Sequence, residues 1–270
     1  MEKNPRITVV TVSYNSEKTI EDTIKSVLDQ KYDNLDYVIV DGCSTDSTMD
    51  IVYKYRQYLN TVISEKDKGI SDAFNKGIAN ADGDIIVMIN SDDVMIPEAL
   101  RHVAEAYDGK HDIYCGNVLL ENPETGYKCR EIPSTKFPVT PFFCHVAHQG
   151  MFVSRDAYRR FGGYNVDIRY PMDLDFLMRA YRMGATFKHV DYDIACFRAG
   201  GATSNSIIKK RKDYIRIVIA NGGNIFQAYL FYVYLCLTQI VKHFINMFGS
   251  DISQKIRYRK TLKKRKTGCS

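Results

Sequence analysis

The sequence predicts an α/β protein with a mostly parallel, mixed sheet flanked by helices. The chain has 270 residues, of which 45% are hydrophobic and 26% charged, as in ordinary globular domains. In the first hundred residues, short β-branched segments alternate with segments of helical periodicity, the order that gives a parallel sheet covered by helices. From Asp112 onward, two strand-like segments follow one another directly across turn-forming residues.

Each predicted element has its own signal in the residues. Segments rich in β-branched and aromatic side chains predict strands at 7–12, 37–40, 61–64, 85–89, 113–120, 127–132 and 151–153. Ile20, Ile24, Val27 and Leu28 recur at the spacing of one helix face, and similar patterns predict helices around Ile51, around Phe74, from Pro97 onward, and over 173–183.

Basic charge is concentrated in residues 251–270. Eight Lys and Arg side chains occur there beside one acid, Asp251, although the whole chain has a formal net charge of only +5. Residues 1–250 therefore have a net negative charge, and a nucleic-acid-binding surface spread over the fold is not expected. Seven cysteines without metal-type spacing favour a reducing compartment, and no apolar signal segment opens the chain. We expect a cytoplasmic protein.

A catalytic domain of residues 1–206 is expected to precede a helical, basic segment of residues 207–270. Residues 225–241 contain no charge, but 17 helical residues reach only about 25 Å, less than the roughly 30 Å hydrocarbon core of a membrane. Basic residues flank this segment on both sides. We therefore expect an amphipathic helix in peripheral contact with the inner face of the plasma membrane. A helix buried in the core or in an oligomer contact is the alternative.

Acidic residues follow three of the first four predicted strands. Ligands of an open parallel sheet bind beyond the carboxyl ends of its strands, although Asp46 and Ser47 are also typical helix caps. Asp92 and Asp93 would repel one another unless a cation compensates, and their oxygens, with the amide oxygen of Asn90, suit Mg²⁺ or Mn²⁺. Because such an ion keeps positions open for phosphates, a nucleotide substrate is indicated.

The glycine pattern excludes two classes of nucleotide-binding protein. No glycine precedes Gly42, so the first strand cannot lead into a Gly-rich dinucleotide fingerprint, and no P-loop motif occurs. The remaining possibility is a metal-bound nucleoside diphosphate that serves as a leaving group. His145 and His148, before Gln149, are candidate acceptor contacts, with a structural role as the alternative.

Several motifs occur in a fixed order along residues 7–205. Residues 9–15 read Val-Val-Thr-Val-Ser-Tyr-Asn, residues 26–30 read Ser-Val-Leu-Asp-Gln, and residues 41–48 read Asp-Gly-Cys-Ser-Thr-Asp-Ser-Thr. A longer motif over 65–77 combines acids with Gly69 and Gly77. Together these motifs resemble the family 2 glycosyltransferases, whose nucleotide-sugar-binding core is the GT-A fold. The motif at 65–77 is similar to that of members that build bacterial surface polysaccharides.

The resemblance implies roles for individual residues in binding the donor. It implies these substrate-binding residues: Thr11, Tyr14, Asp41, Asp67, Lys68, Asp72 and Arg198. Thr11, Tyr14 and Asp41 would hold the nucleoside, with Asp41 accepting a hydrogen bond from the base. Arg198 belongs to a segment, 197–204, that resembles the loop closing over the diphosphate.

The resemblance also implies a metal site and a catalytic base. Asn90, Ser91 and Asp92 occupy the place of the D-x-D metal motif, so Asp92 is the expected ligand of Mn²⁺ or Mg²⁺, with Asp93 as a second candidate. Asp173 occupies the place of the catalytic base in an E-D-x-D segment. In that segment Met172 replaces the glutamate.

The expected activity is an inverting transfer of a sugar from a nucleotide sugar, with UDP as the expected nucleotide, to a hydroxyl of a glycan or lipid-linked acceptor. A carboxylate at Asp173 would take the proton of that hydroxyl. Because Asn90 and Met172 depart from the acidic pattern, a catalytically silent nucleotide-sugar-binding or scaffold protein is the alternative. A sugar nucleotidyltransferase is less favoured, since the expected glycine-rich, arginine-bearing loop after the first strand is missing.

Overall fold

The computed structural model describes residues 4–122, 127–133, 146–168, 171–198 and 211–247. The strands of this part of the chain are β1 Ile7–Ser13, β2 Leu35–Asp41, β3 Thr61–Ser64, β4 Ile85–Asn90, β5 Val94–Met95, β6 Ile113–Asn122, β7 Tyr127–Glu131, β8 Met151–Ser154 and β9 Phe187–Arg198. Its α-helices are α1 Ile20–Leu28, α2 Thr48–Lys54, α3 Ile70–Ala79, α4 Ala99–Ala106, α5 Arg155–Phe161, α6 Met172–Arg182, α7 Arg211–Ala220 and α8 Ile225–Met247.

These strands form one mixed sheet in the order β3-β2-β1-β4-β8-β6-β9-β5, with β7 paired to β6. β1 lies parallel to both β2 and β4, and its register sets Ser13 opposite Asp41 and Val12 opposite Asn90. β8 runs antiparallel between β4 and β6. The amino end of β8 therefore points toward the same edge of the sheet as the carboxyl ends of β1, β2 and β4.

Both faces of the sheet are covered by helices. All seven residues of β1 are buried, and they alternate between two hydrophobic clusters. Val10 and Val12 pack in the cluster that includes side chains of α3, α5 and α6, whereas Ile7 and Val9 pack in the cluster formed with α1, α2 and α4. This two-sided burial explains why the parallel strands are nearly continuous hydrophobic segments.

The seven predicted strands are confirmed to within two residues at each end. The prediction that the fourth helix begins at Pro97 is wrong. α4 begins at Ala99, because Glu98 has a positive φ of 64° and interrupts the helical path. β5, α5 and the 12-residue strand β9 were not predicted from the sequence.

The C-terminal helices are attached to the sheet domain through α7. Ile217 of α7 is buried in one of the two main clusters, and Arg216 donates a hydrogen bond of 3.1 Å to the carbonyl oxygen of Asp167. One face of α8 packs on α7, where Ala228 and Phe231 contact Val218. The expected domain boundary near residue 206 and the basic tail lie outside the described residues.

The outer face of α8 is exposed and apolar. Its side chains are 45–70% exposed, and they are Phe226, Tyr229, Leu230, Val233, Tyr234, Leu237, Ile240 and Val241. Within the described segments, no helix combines the length and the apolar character needed to cross a bilayer. α8 thus has two faces: the inner face packs on α7, and the outer face is exposed among the residues that the structure describes.

Candidate active site

The predicted site residues of β1, β2 and β4 lie at one edge of the sheet. Asp41 ends β2 and is fully buried. Its Oδ1 accepts hydrogen bonds from the hydroxyls of Ser13 (3.1 Å) and Ser44 (2.5 Å), and its Oδ2 accepts from the backbone N–H of Ser44 and the hydroxyl of Ser64, both at 2.9 Å. A carboxylate has about four acceptor sites, so these four hydrogen bonds occupy them. Within this structure Asp41 is the centre of a hydrogen-bond network that joins β1, β2 and β3.

Thr11 and Tyr14 differ sharply in exposure. The hydroxyl of Thr11 is buried and lies 3.1 Å from the hydroxyl of Tyr37 on β2. Tyr14, just beyond β1, is 63% exposed. A Cβ atom on Gly42 would lie 3.4 Å from the Tyr14 ring and 2.5 Å from Asp67 Oδ2. Glycine at position 42 therefore allows the exposed ring and the Asp67 carboxylate to lie side by side, an arrangement that suits a planar, polar ligand.

The segment after β2 fixes the loop that presents Tyr14. Asn15 has a positive φ of 50°, its backbone N–H donates to the hydroxyl of Ser44 (2.8 Å), and its amide oxygen accepts from the N–H of Thr45 (2.9 Å). Asp46 accepts from the N–H of Thr48 (3.0 Å) at the start of α2. Asp46 therefore accepts from the first N–H of α2, whereas Ser47, at the N-cap position, makes no side-chain capping hydrogen bond. The motif as a whole stabilises the loop.

Asp67, Lys68 and Asp72 lie together in the turn between β3 and α3. Asp67 Oδ1 accepts from the N–H of Gly69 (2.8 Å), and Asp72 Oδ2 accepts from the N–H of Lys68 (3.1 Å). The ammonium group of Lys76 lies 3.7 Å from Asp72. Asp67 and Asp72 therefore use one oxygen each to fix the turn, and Asp67 also faces Tyr14 across Gly42.

Beyond β4, Asp93 is buried and Asp92 is half-buried. Asp93 Oδ2 accepts a hydrogen bond of 3.0 Å from the side-chain amide of Gln149, whereas its Oδ1 has no hydrogen-bond partner. Burial raises the pKa of Asp93 to about 6, although the neighbouring imidazole of His148 opposes this shift. Of the two adjacent carboxylates, Asp92 is the more accessible to a ligand. Gln149 was not predicted from the sequence.

His148 connects the loop after β4 with the start of α6. It lies in a short 3-10 turn, His148–Gly150, directly before β8. Its Nε2 is 3.0 Å from the amide nitrogen of Asn90, and its Nδ1 is 2.9 Å from Asp173 Oδ2. Burial by itself lowers the pKa of His148, but the charge and hydrogen bond of Asp173 outweigh burial, and Asp93 and Asp92 add to this effect, so the pKa is raised. Asp92, Asp93 and Asp173 therefore surround one imidazole.

Three oxygens of this cluster are buried without a hydrogen-bond partner: Asn90 Oδ1, Asp93 Oδ1 and Asp173 Oδ1. Buried polar atoms are normally paired, so a water, an ion or a group of a ligand would complete the hydrogen bonding at these positions. In the described part of the chain, no group of three or more His, Cys, Asp or Glu side chains is arranged to hold a metal ion. A hard cation held by one or two carboxylates and by substrate phosphates still fits these oxygen donors.

The other positions predicted from the sequence are Met172, Arg198, His145 and the segment 199–204. Met172 is buried and its sulfur accepts a hydrogen bond of 3.1 Å from Ser71, so the glutamate position of the E-D-x-D segment belongs here to the core. Arg198 is the last residue of β9, opposite Glu121 of β6. His145 and the segment 199–204 lie outside the described residues. The roles of Arg198 and of the diphosphate loop stay predictions.

Comparison with known proteins identifies relatives of this chain. The sequence profile described as "Glycosyl transferase family 2" matches residues 8–163. TuaG of Bacillus subtilis (strain 168), whose name assigns it provisionally to teichuronic acid biosynthesis as a glycosyltransferase, is 40% identical over 92 residues, 33% of this chain and 36% of TuaG. The poly(ribitol-phosphate) β-N-acetylglucosaminyltransferase TarS of Staphylococcus aureus (strain Mu50 / ATCC 700699) is 32% identical over 140 residues, 50% of this chain and 24% of TarS. The chain thus spans about a third or less of these relatives.

Solved structures confirm the predicted GT-A fold. S. aureus TarS 1–349 in complex with UDP superposes with a TM-score of 0.62 at 20% identity, covering 83% of this chain and 68% of that one. The mannosyltransferase PcManGT from Pyrobaculum calidifontis, in complex with GDP-Man and Mn²⁺, superposes with a TM-score of 0.63 at 20% identity, covering 84% and 70%. Because the sequence identity is only 20%, these superpositions establish a shared fold and nothing about substrate or mechanism.

The network around Asp41 predicts that this residue is needed for folding. Asp41→Ala leaves the hydroxyls of Ser13, Ser44 and Ser64 without their acceptor, so we expect the free energy of unfolding to fall by at least about 2 kcal/mol. Urea denaturation without nucleotide measures this change. Asp82→Ala, at a side chain that is 69% exposed, is the control and is expected to stay within about 0.5 kcal/mol of the wild type. Wild-type stability in Asp41→Ala would contradict the structural role.

Proposed function

The chain belongs to glycosyl transferase family 2, and we propose that it transfers a sugar, with inversion, from a UDP-sugar to a hydroxyl of a glycan or lipid-linked acceptor in bacterial surface-polysaccharide synthesis. The observation that carries this proposal is the contact of His148 with both Asn90 and Asp173. Through this contact the proposed base, Asp173, lies next to the segment at the end of β4 that leads to Asp92. The relatives named above support the class of product, and the UDP complex of TarS supports the class of donor.

Asp173 is the proposed general base. It lies in the first turn of α6, its side chain is 26% exposed, and its Oδ1 has no hydrogen-bond partner. This carboxylate is proposed to accept the proton of the acceptor hydroxyl. As that proton moves, the acceptor oxygen bonds to the anomeric carbon from one face. The bond from that carbon to the nucleoside diphosphate breaks on the opposite face. Tyr14 and Asp67 are proposed to hold the nucleoside at the other end of the site.

A variant of the proposed base tests the activity. Asp173→Asn keeps the shape of the side chain but cannot take the proton, so we expect the transfer rate with a panel of UDP-sugars to fall at least about 10³-fold. The affinity for UDP, measured by calorimetry, should change little. Asp156→Asn, at an exposed acid distant from the cluster, is the matched control and should transfer at the wild-type rate. A wild-type protein that binds UDP-sugars but neither transfers nor hydrolyses them would instead be a silent binding protein.

A divalent cation, Mg²⁺ or Mn²⁺, is the proposed cofactor. Asp92 would hold it together with phosphate oxygens of the donor, which agrees with the single accessible carboxylate after β4. When bound, such an ion offsets the negative charge that develops on the departing diphosphate. The Mn²⁺ in the PcManGT complex supports this choice. Asp93, buried against Gln149, is proposed to support the loop, and its role as a second ligand stays a prediction.

Metal removal tests this proposal. We expect EDTA to lower the transfer rate at least about 100-fold, and added Mn²⁺ to restore it, since the ion supplies several kcal/mol of charge stabilisation. Asp92→Ala should show the same loss without rescue at ordinary Mn²⁺ concentrations. Asp82→Ala serves as the control for a general loss of negative charge. A full rate in EDTA would contradict a role for the cation.

The outer face of α8 is proposed to lie on a membrane. Its eight exposed apolar side chains are not covered by the described residues, and the sequence adds a basic tail after the helix. An apolar helix face beside Lys and Arg residues is typical of peripheral binding to anionic lipid. This arrangement would hold the enzyme at the inner face of the plasma membrane, where a lipid-linked acceptor is available.

Charged substitutions on the full-length chain test membrane binding. We expect Leu230→Glu, Val233→Glu and Leu237→Glu, combined, to lower binding to phosphatidylglycerol vesicles at least about 10-fold, because acidic groups replace the inserted apolar face. Tyr53→Glu with Tyr58→Glu, also at exposed apolar positions but on the sheet domain, is the matched control. Unchanged vesicle flotation would contradict the proposal. A smaller oligomer in the triple variant would identify α8 as a contact between copies.

A further inference from the structure

We propose that His148 is a positioning residue that orients the carboxylate of Asp173 by bridging it to Asn90. This inference rests on the proposed function, because it assigns to His148 the task of directing the proposed base. The bridge joins a residue at the end of β4, a residue before β8 and a residue in the first turn of α6. Position 148 is thus where three separate parts of the chain meet.

The two contacts hold the imidazole from both sides. Nδ1 donates a hydrogen bond to Asp173 Oδ2, because a carboxylate oxygen only accepts, and Nε2 lies 3.0 Å from the side-chain amide of Asn90. A donor at 2.9 Å from Oδ2 restricts rotation of the Asp173 carboxylate. Oδ1, which is buried, then stays the oxygen of Asp173 without a hydrogen-bond partner. This is the arrangement by which a second group holds a catalytic base in a productive orientation.

The imidazole itself is fixed by its surroundings. Its side chain is 12% exposed, and the ring of Phe74 lies 5.7 Å from it, centroid to centroid. The turn that carries His148 packs directly on β6. A Cβ atom on Gly150 would lie 2.6 Å from the carbonyl oxygen of Gly116, so only glycine allows this close approach. The packing of this turn on the sheet therefore fixes the position of the ring. Because the ring is hydrogen-bonded to Asp173, it restricts the position of the Asp173 carboxylate as well.

A role in packing alone does not account for these contacts. A buried histidine with only a structural role needs hydrogen-bond partners for its two nitrogens, and any polar groups of the core can provide them. The two nitrogens of His148 instead contact two residues of the candidate site, Asn90 and Asp173. Asn90 stands at the position of the metal motif, and Asp173 is the proposed base. Since misplacement of a reacting group by about 1 Å can cost about 10²-fold in rate, the bridge has a measurable catalytic consequence.

Three substitutions separate the two halves of the bridge. His148→Asn can place an amide donor near the position of Nδ1 and keep the contact with Asp173. His148→Gln reaches the position of Nε2 and keeps the contact with Asn90 instead. We expect kcat to fall about 10²-fold in His148→Ala and His148→Gln but less than about 10-fold in His148→Asn, while the KM for the UDP-sugar changes little. Steady-state kinetics of the full-length protein with Mn²⁺ measures both constants.

A double variant shows whether His148 acts through Asp173. Adding His148→Ala to Asp173→Asn should cause no further loss of the residual rate, because the orientation of a base that is already absent has no effect. His111→Ala is the matched control. His111 also pairs with a carboxylate, Asp108, at 2.9 Å, but it lies at the opposite edge of the sheet, before β6, and should leave kcat unchanged.

The outcomes distinguish this inference from the proposed function. Equal losses in all three His148 variants, additive loss in the double variant, or a change confined to KM would overturn the positioning role while transfer by Asp173 stands. A wild-type protein without turnover on any UDP-sugar would overturn the proposed function and, with it, the positioning of a base. Rescue by Asn but not by Gln, with non-additivity, supports the inference.

Discussion

The parallel pairing of β1 with β2 and with β4 is the constraint on which the site depends. Parallel strands end at the same edge, so Ser13, Asp41 and Asn90, which are distant in sequence, become neighbours. β8 enters the sheet in the opposite direction, and its first residues therefore lie at this edge as well. The turn that carries His148 directly precedes β8, so it lies near the carboxyl end of β4 because β8 runs antiparallel to β4.

The electrostatics of the cluster follow from burial. Three carboxylates surround one imidazole, and removal of water disfavours every charge among them. Burial raises the pKa of Asp93 to about 6, whereas at His148 burial is outweighed by the surrounding carboxylates together, so that the pKa of His148 is raised. Three oxygens remain buried without partners. The polar groups of the protein therefore leave acceptor positions for the cation and the hydroxyl that we propose.

The sequence motifs named candidate residues, of which the structure brings Asn90, Asp92, Asp93 and Asp173 together around His148, but the motifs assigned few of the interactions. The segment 41–48 was recognised from its residue types, yet its main use in the structure is to brace the loop that presents Tyr14. Asp41 illustrates the difference. Its carboxylate accepts hydrogen bonds from three serines in different strands and loops, and no local sequence pattern predicts this set of partners. Likewise, the hydroxyl of Thr11 points into the core, toward Tyr37.

By itself, the sequence determined the fold class, the seven predicted strands and the family, because hydrophobic periodicity and ordered motifs are local properties of the chain. Only the tertiary structure decided which side chains meet. The strand β9 and the bridge from Asn90 through His148 to Asp173 both arise from strand order and direction. These are long-range features, set when the sheet buries both of its faces, and a linear pattern does not contain them.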